Sequence, residues 1–227
     1  MKAPVKVLAV DIGGTNVKIL ATGQKDRRKF PSGKGLTPRR MATRVKQLAK
    51  DWQYDVVSIG YPGVLRDGRP VSEPKNLAKG WVRFDFQAAF GCPVKMINDA
   101  AMQALGSYRG GTMLFLGLGT GLGSAMVVNG TVVPMELGHL AIGGRTFEED
   151  LGIRGLKKLG RKKWQKRVEV VTQRFVSALN LDDVVLGGGN AKKLTRLPVG
   201  CRMGDNALAF VGGFRLWEQN AEGSWQP

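Results

Sequence analysis

The sequence predicts an α/β protein of two similar lobes that face one another across a cleft. The main observation is an internal repeat at an offset of 107 residues, which aligns residues 7–23 with residues 114–130. In both segments an apolar strand meets a glycine-rich bend, and a second apolar strand follows and ends at a glycine. Further strands and helices follow each repeat. We expect the first lobe to span residues 1–98 and the second residues 99–227.

The elements of the first lobe follow from hydrophobic spacing and turn residues. Residues 5–23 predict a β-hairpin, because two apolar runs flank a pair of glycines. Residues 34–52 predict a basic helix whose apolar side chains recur at helical spacing: Met41, Val45, Leu48 and Trp52. Residues 55–65 read as a buried strand that runs into a turn with glycine and proline. Residues 94–108 read as a short strand that leads into a helix.

The second lobe begins with the hairpin of residues 114–130. Residues 148–179 have a helical pattern that is interrupted by three glycines. Residues 182–194 predict a strand, a triple glycine and a helix. Residues 206–217 predict a closing helix, which we expect to pack back on the first lobe.

Composition and charge indicate a globular protein that attracts anions. The chain has 227 residues, 43% of them hydrophobic, and a formal net charge of +17. Such a charge favours nucleic acid, an anionic membrane or a multiply charged phosphate substrate as partner. The two cysteines show no pairing pattern, and the apolar run at residues 7–10 is too short for a signal peptide. Together with the lack of a membrane-length apolar stretch, this predicts a cytoplasmic protein without membrane contact.

The bend of the first hairpin is a candidate phosphate site. Gly13 and Gly14 let successive backbone N–H groups converge on an anion, because no Cβ keeps the anion at a distance. Thr15 adds a hydroxyl donor and Lys18 a cation. Asp11, at the end of the strand, suits Mg²⁺, directly or through water. The alternative is a plain hairpin with an incidental aspartate.

Two further glycine loops extend this prediction. Gly119 and Gly121 lie in a bend that a strand follows, so the bend is not a dinucleotide fingerprint and reads as a second phosphate-binding hairpin. The glycines at 187–189 follow a strand and are predicted to open a helix. The N-terminus of a helix is a natural anion site.

Two polar clusters are candidates for the chemistry. Asn98 and Asp99 lie where a strand gives way to a helix, so Asp99 can accept a proton from a substrate hydroxyl while Asn98 binds a sugar. The alternative role for this pair is a helix N-cap. Glu136 precedes His139, which is the single histidine of the chain. A lone histidine beside apolar residues is more often structural than a ligand, and it makes a poor zinc site.

Six motifs together resemble the ROK family of sugar kinases, which have the actin-like, ribonuclease-H-like ATPase fold. They are DIGGTNVK at 11–18, GYPGVL at 60–65, NDA at 98–100, LGTGLGSA at 118–125, ELGH at 136–139 and LGGGNAK at 186–192. They occur in the family's order and span most of the chain. Within the family, the sequence looks most similar to the short polyphosphate glucokinase branch.

The resemblance implies roles for the candidate residues. Asp99 would be the general base on the 6-hydroxyl of glucose or a related hexose, and the other hydroxyls would be bound by Asn98, Glu136, His139 and Glu148. Polyphosphate or ATP would donate the phosphoryl group with Mg²⁺ at Asp11. The donor would be held by Gly13, Gly14, Thr15, Lys18, Gly119, Thr120 and Gly121, with Gly187, Gly188 and Gly189 nearby. The resemblance also favours a homodimer.

The chain departs from the family pattern in three places. The motif CxCGxxGC of many relatives is absent, so we expect no zinc site. Alanine stands at position 101, where many relatives have a second aspartate. The chain is also short, so part of the second lobe must be reduced.

The basic segment at residues 155–167 has seven lysines and arginines in thirteen residues. It reads either as a solvated helix face with Leu156, Leu159, Trp164 and Val168 on the buried side, or as a track for a polyphosphate donor.

Two other functions compete with the kinase. ROK proteins include sugar-responsive repressors, but these carry a helix-turn-helix before the kinase-like body, and the first strand is expected by about Val5. Nucleic acid is therefore not expected as a partner, unless the basic helix binds DNA. A sugar-binding protein without turnover is disfavoured by the presence of Asp11 and Asp99.

Overall fold

The structure, a computed structural model, describes residues 4–218, and residues 219–227 at the end of the expected second lobe lie outside the described residues. From residue 4 onward, the first half contains seven strands and three α-helices. In chain order they are β1 (Val7–Ile12), β2 (Asn16–Ala21), β3 (Arg28–Pro31), α1 (Pro38–Leu48), β4 (Val56–Tyr61), β5 (Leu65–Arg66), β6 (Arg69–Pro70), α2 (Phe86–Phe90), β7 (Val94–Asn98) and α3 (Asp99–Ser107).

The second half, as far as residue 218, contains seven strands, three α-helices and two short 3₁₀ turns. In chain order they are β8 (Thr112–Leu118), β9 (Leu122–Val128), β10 (Thr131–Met135), the 3₁₀ turn Leu137–His139, β11 (Ala141–Ile142), β12 (Arg145–Thr146), α4 (Phe147–Leu151), α5 (Ile153–Leu179), β13 (Asp183–Gly187), the 3₁₀ turn Ala191–Lys193, β14 (Cys201–Met203) and α6 (Leu208–Arg215).

Two five-stranded sheets have the same topology, which confirms the predicted repeat. One sheet has the order β3-β2-β1-β4-β7 and the other β10-β9-β8-β13-β14. In each sheet the first three strands form antiparallel pairs. The last two strands of each sheet pair in parallel with their neighbours. Each repeated hairpin therefore supplies the centre of one sheet, and its bend projects from the end of that sheet.

Helix α1 is shorter than the predicted range of 34–52, because local caps define its ends. The Thr37 side chain accepts a hydrogen bond from the Arg40 N–H, and Pro38 occupies the first turn, where a missing N–H costs nothing. Met41 and Val45 are fully buried beneath the helix. The predicted apolar spacing was therefore correct, and only the helix bounds differ.

Helices α3 and α6 lie between the two sheets and touch each other closely. A Cβ at Gly106 of α3 would overlap the Leu208 carbonyl oxygen, and one at Gly212 of α6 would overlap the Met102 carbonyl oxygen. Only glycine allows such an approach of two helix backbones. Helix α6 also contacts the first sheet, where the Ser58 Oγ donates a hydrogen bond of 2.6 Å to the Gly213 carbonyl.

Helix α5 carries the basic segment and contains a break at Gly160, whose backbone (φ 70°, ψ 160°) is not helical. Of the side chains predicted to lie inside, Leu156, Trp164 and Val168 are buried and Leu159 is partly buried. The lysines and arginines of the segment are exposed. Among the described residues, no helix is both long and apolar enough to cross a membrane.

Candidate active site

Asp99 is the first residue of α3, and Asn98 caps that helix. The Asn98 Oδ1 accepts hydrogen bonds from the N–H groups of Ala100 (2.9 Å) and Ala101 (3.2 Å), while its Nδ2 donates to the Gly63 carbonyl at 3.2 Å. The cap that the sequence offered as an alternative for this pair therefore belongs to Asn98. One oxygen of Asp99, Oδ1, accepts from the Ala100 N–H at 2.8 Å. Its Oδ2 accepts no hydrogen bond from another residue among residues 4–218, so Asp99 retains an oxygen for chemistry.

The surroundings of Asp99 favour its protonated form. Asp99 is partly buried, and desolvation of its carboxyl group together with the negative charges of Asp11 and Glu136 raises its pKa to about 7, against the opposing effect of the Ala100 hydrogen bond. A pKa near 7 is suited to a group that accepts a proton at neutral pH. Asp11 and Glu136, from other parts of the chain, are therefore near enough to Asp99 for their charges to act on it.

The 3₁₀ turn Leu137–His139 and helix α4 lie beside this centre. A Cβ at Gly138 would lie 2.8 Å from the Leu122 carbonyl oxygen and 3.5 Å from the Glu148 Cβ. Glu136 lies two residues before this glycine and His139 directly follows it, and both residues are exposed. The turn, Glu148 and the start of β9 therefore form one surface, and the structure brings these predicted sugar ligands close to one another.

The bends of the two repeated hairpins meet. A Cβ at Gly14 would lie 3.8 Å from the Thr120 Oγ1, which is ordinary van der Waals contact. Thr15 and Thr120 are both exposed at these bends. A Cβ at Gly121 would lie 2.7 Å from the Glu148 Oε2, so the second bend also touches the surface that carries Glu148. The predicted donor loops and sugar ligands are thus adjacent.

Asp11 lies at the end of β1, directly before the first bend. Its side chain is 5% exposed, and its Oδ2 accepts a hydrogen bond from the Lys18 Nζ at 2.8 Å. The ion pair compensates for burial of the aspartate. Lys18 was predicted to face the donor, and here it neutralises Asp11 at the edge of the same bend.

The prediction that Gly187–Gly189 open a helix is wrong. After β13 the chain forms only the 3₁₀ turn Ala191–Lys193, which is too short to present the N-terminus of a helix. Gly188 has φ +82°, and a Cβ there would lie 2.5 Å from the Leu118 carbonyl oxygen. The glycines therefore serve the close approach of this loop to the second hairpin, and they do not start a helix.

Two supports of the second bend were not identified from the sequence. The buried Asn190 donates from Nδ2 to the Gly119 carbonyl at 2.8 Å, and its N–H donates to the Leu118 carbonyl at the same distance. The Ile153 N–H, at the start of α5, approaches the carbonyls of Gly119 (3.1 Å) and Thr120 (3.3 Å). The available sequence signal for Asn190 was its position directly after the triple glycine.

The residues of the site set limits on metal binding. Within residues 4–218, no three His, Cys, Asp or Glu side chains are grouped closely enough to hold a metal ion by themselves. Mg²⁺ commonly uses one or two carboxylates together with water and substrate phosphates. Asp11, with its charge close to that of Asp99, is compatible with that mode of binding.

Comparison with known proteins identifies related kinases. A polyphosphate glucokinase of Mycobacterium tuberculosis is 30% identical over 206 residues, which cover 81% of this chain and 77% of the relative. The corresponding protein of Mycobacterium leprae is 27% identical over 209 residues, covering 82% of this chain and 64% of the relative.

Solved structures show the same fold. An inorganic polyphosphate/ATP-glucomannokinase of Arthrobacter sp. strain KM superimposes with a TM-score of 0.78 at 25% identity, covering 94% of this chain and 97% of the other. A ROK family glucokinase of Streptomyces griseus, in complex with glucose and AMPPNP, gives 0.71 at 16% identity over 92% and 97% of the chains. The latter supports the fold alone.

The sequence profile of the ROK family matches residues 7–153, which is more than half of the chain. The two sheets of equal topology agree with the two lobes of the actin-like ATPase fold that these kinases share. The chain belongs to the ROK family.

Proposed function

We propose that this chain is a hexokinase-type sugar kinase, which transfers a phosphoryl group from polyphosphate or ATP to the 6-hydroxyl of glucose or a related hexose. The observation that carries this proposal is the position of Asp99, whose pKa is raised to about 7 beside Asp11 and Glu136. The names of the M. tuberculosis and Arthrobacter relatives support the same reaction. Because these relatives are kinases, they give no support to the alternative that this chain is a transcriptional regulator.

Asp99 would act as the general base. The 6-hydroxyl oxygen of the sugar attacks the terminal phosphorus of the donor, its proton moves to the Asp99 carboxylate, and the bond from that phosphorus to the rest of the donor breaks. The free Oδ2 of Asp99 is available for this proton. The Ala100 N–H bonded to Oδ1 fixes the orientation of the carboxylate.

The remaining hydroxyls of the sugar would be bound by the polar side chains around Asp99. Glu136, His139 and Glu148 lie on one surface, and charged or polar acceptors of this kind discriminate among hydroxyl positions. Asn98 would contribute mainly by holding the start of α3, because its side chain already makes three hydrogen bonds to the chain.

The donor phosphates would lie against the two glycine bends. The first bend offers the backbone of Gly13 and Gly14 with the hydroxyl of Thr15, and the second offers Gly119, Thr120 and Gly121. The loop Gly187–Gly189 would lie beside the more distant phosphates or a nucleotide. Because this chemistry has a loose transition state, the contribution of the protein would consist mainly of positioning and of stabilising charge.

Mg²⁺ would be held at Asp11 through water and donor phosphate oxygens, with Lys18 balancing the aspartate when the ion leaves. When bound, the ion neutralises charge on the transferred phosphoryl group. A cytoplasmic location and a homodimer remain predictions from the sequence.

A donor comparison tests the proposal. Purified protein is incubated with glucose and Mg²⁺, together with either ATP or long-chain polyphosphate, and glucose 6-phosphate is measured. We expect product from polyphosphate, with or without activity on ATP. Activity on ATP alone would remove polyphosphate from the proposal, and no product from either donor would overturn it.

A further inference from the structure

A cavity of about 730 Å³ opens beside the start of α1, on the first lobe and outside the site described above. The strand end at Pro31, the loop that follows it and the first two turns of α1 line this cavity. Four of the lining side chains are cations: Lys34, Arg39, Arg40 and Arg44. Its volume falls in the range of small-molecule sites, which is roughly 300–1,000 Å³.

The cavity adjoins the first phosphate bend directly. Ser32, one of its lining residues, donates from Oγ to the Gly13 carbonyl at 2.8 Å, and its N–H donates to the Thr15 carbonyl at 3.0 Å. The strand register explains this contact, because Pro31 pairs with Asn16 at the end of the hairpin. The cavity and the first bend are therefore adjacent.

The cations of the cavity are not neutralised by the protein. Among the described residues, none of the four forms an ion pair, and the cavity lining contains no aspartate or glutamate. The Arg40 side chain donates to the Gly35 carbonyl at 3.2 Å, and the Arg44 guanidinium lies 5.2 Å from the centre of the Phe30 ring. By contrast, Arg28, on the strand beside this region, is paired with Asp51. Grouped cations without counter-charges repel each other and favour an anionic ligand.

The cationic surface continues beyond the cavity along the same helix. A second depression, of about 450 Å³, shares Arg39 and Thr43 with the first and adds Lys46 and Arg83. It also contains one acidic residue, Asp85, whose Oδ1 accepts a hydrogen bond from the Ala88 N–H at 2.9 Å. Residues 39, 43 and 46 lie on one face of α1 because of their helical spacing. The first turn of α1 contains no acidic residue, so no carboxylate there offsets the positive end of the helix dipole. A single phosphate would occupy only a small part of this groove.

We propose that the groove formed by the two depressions along α1 binds the internal phosphates of a condensed phosphate chain, whose terminal phosphoryl group lies at the two glycine bends. This proposal rests on the proposed kinase function. Successive phosphates pass Ser32 and then Lys34, Arg40 and Arg44, and long chains extend to Lys46 and Arg83. Binding is driven by many spaced charges and by release of counterions, as in protein binding to nucleic acid backbones. The basic face of α5 then serves as a solvated surface.

The test compares donors of different length in matched variants. Arg40→Gln/Arg44→Gln removes two groove charges, Arg40→Lys/Arg44→Lys retains them, and Lys162→Gln/Lys163→Gln removes two exposed charges from α5. For long-chain polyphosphate we expect the Arg40→Gln/Arg44→Gln variant to have a KM about tenfold higher than that of the wild type. The slope of log KM against log salt concentration should be smaller by about two. The lysine variant should recover most of the affinity, and the α5 variant should behave as wild type. KM for ATP and for tripolyphosphate should stay within about twofold of wild type in all three.

A binding measurement separates this proposal from the kinase function. Fluorescently labelled long-chain polyphosphate is titrated against each variant without glucose, and anisotropy is recorded. Loss of affinity in the Arg40→Gln/Arg44→Gln variant supports the groove even if the wild type produces no glucose 6-phosphate. Equal affinity of that variant and the wild type would overturn the groove, as would a loss confined to the α5 variant.

Discussion

Gly14 and Thr120 approach each other from the two repeated hairpins, so that a Cβ at Gly14 would lie 3.8 Å from the Thr120 Oγ1. The two bends occupy equivalent positions in sheets of the same topology. Their contact lies next to Asp11, whose charge acts on Asp99. The repeat in the sequence thus produces a paired structure in which two glycine-containing bends meet near Asp99, the carboxylate whose pKa is raised.

The rate should depend on pH through Asp99. Because a base must be ionised to accept a proton, kcat/KM for glucose should fall about tenfold per pH unit below about pH 7 and level off above it. Initial rates from pH 5 to 9 measure this profile. Since donor phosphates also titrate, the profile is recorded with both ATP and polyphosphate, and a limb common to both belongs to the enzyme. A flat profile between pH 5.5 and 7 would argue against Asp99 as the base.

The stability of the fold should also depend on the titration of Asp99, but it should decrease as the pH rises, whereas the rate should increase. The folded state raises the pKa of Asp99 from 3.8 to about 7, so folded protein binds more protons than unfolded protein between these values. The contribution of Asp99 to stability is therefore lost as pH rises from about 4 to about 7. Asp99→Asn carries no such charge, so its Tm relative to wild type should increase over this window and then stay constant. A Tm difference that is the same at pH 4.5 and pH 8 would contradict the raised pKa.

Asn190 should support the second bend. Asn190→Ala removes the 2.8 Å hydrogen bond to the Gly119 carbonyl, which we expect to lower stability by about 1–2 kcal/mol and to raise the KM of the donor more than that of glucose. Urea unfolding and steady-state kinetics measure the two effects. Asn76→Ala, at an exposed asparagine, is the matched control and should change neither. An unchanged donor KM in Asn190→Ala would show that the bend does not need this support.

The contact between α3 and α6 should be intolerant of a single methyl group. Gly212→Ala would place its Cβ on the Met102 carbonyl oxygen, and relief of that overlap requires the two helices to separate. We expect a loss of about 3 kcal/mol in the free energy of unfolding. Gly35→Ala is the control, because no atom lies within 4 Å of a Cβ there. Equal stability of the two variants would contradict the close packing of these helices.

The sequence predicted the features that depend on local pattern. The hairpins at residues 7–23 and 114–130, the cap at the start of α3 and the family followed from glycine turns, apolar alternation and short motifs. The equal strand order of the two sheets then follows from repetition of the same pattern. Local signals were sufficient here because each hairpin, the cap and each single motif are encoded within about twenty residues.

Features that depend on distant contacts were not predictable in the same way. The triple glycine before Asn190 looks like the start of a helix, yet its conformation is set by the approach to Leu118, about seventy positions earlier. The groove along α1 was also missed, because a basic helix has the same sequence pattern whether or not its cations surround a cavity. Only the packing of the Ser32 loop against the first bend distinguishes the two cases.

The central claim, that Asp99 accepts the proton of the sugar hydroxyl, is tested most directly by Asp99→Asn. Glucose 6-phosphate formation is measured for this variant and for wild type with the same donor and Mg²⁺, and glucose binding is measured by calorimetry. We expect kcat to fall about 10²–10⁴-fold, with glucose still bound and the protein folded. Turnover of Asp99→Asn at the wild-type rate would contradict it.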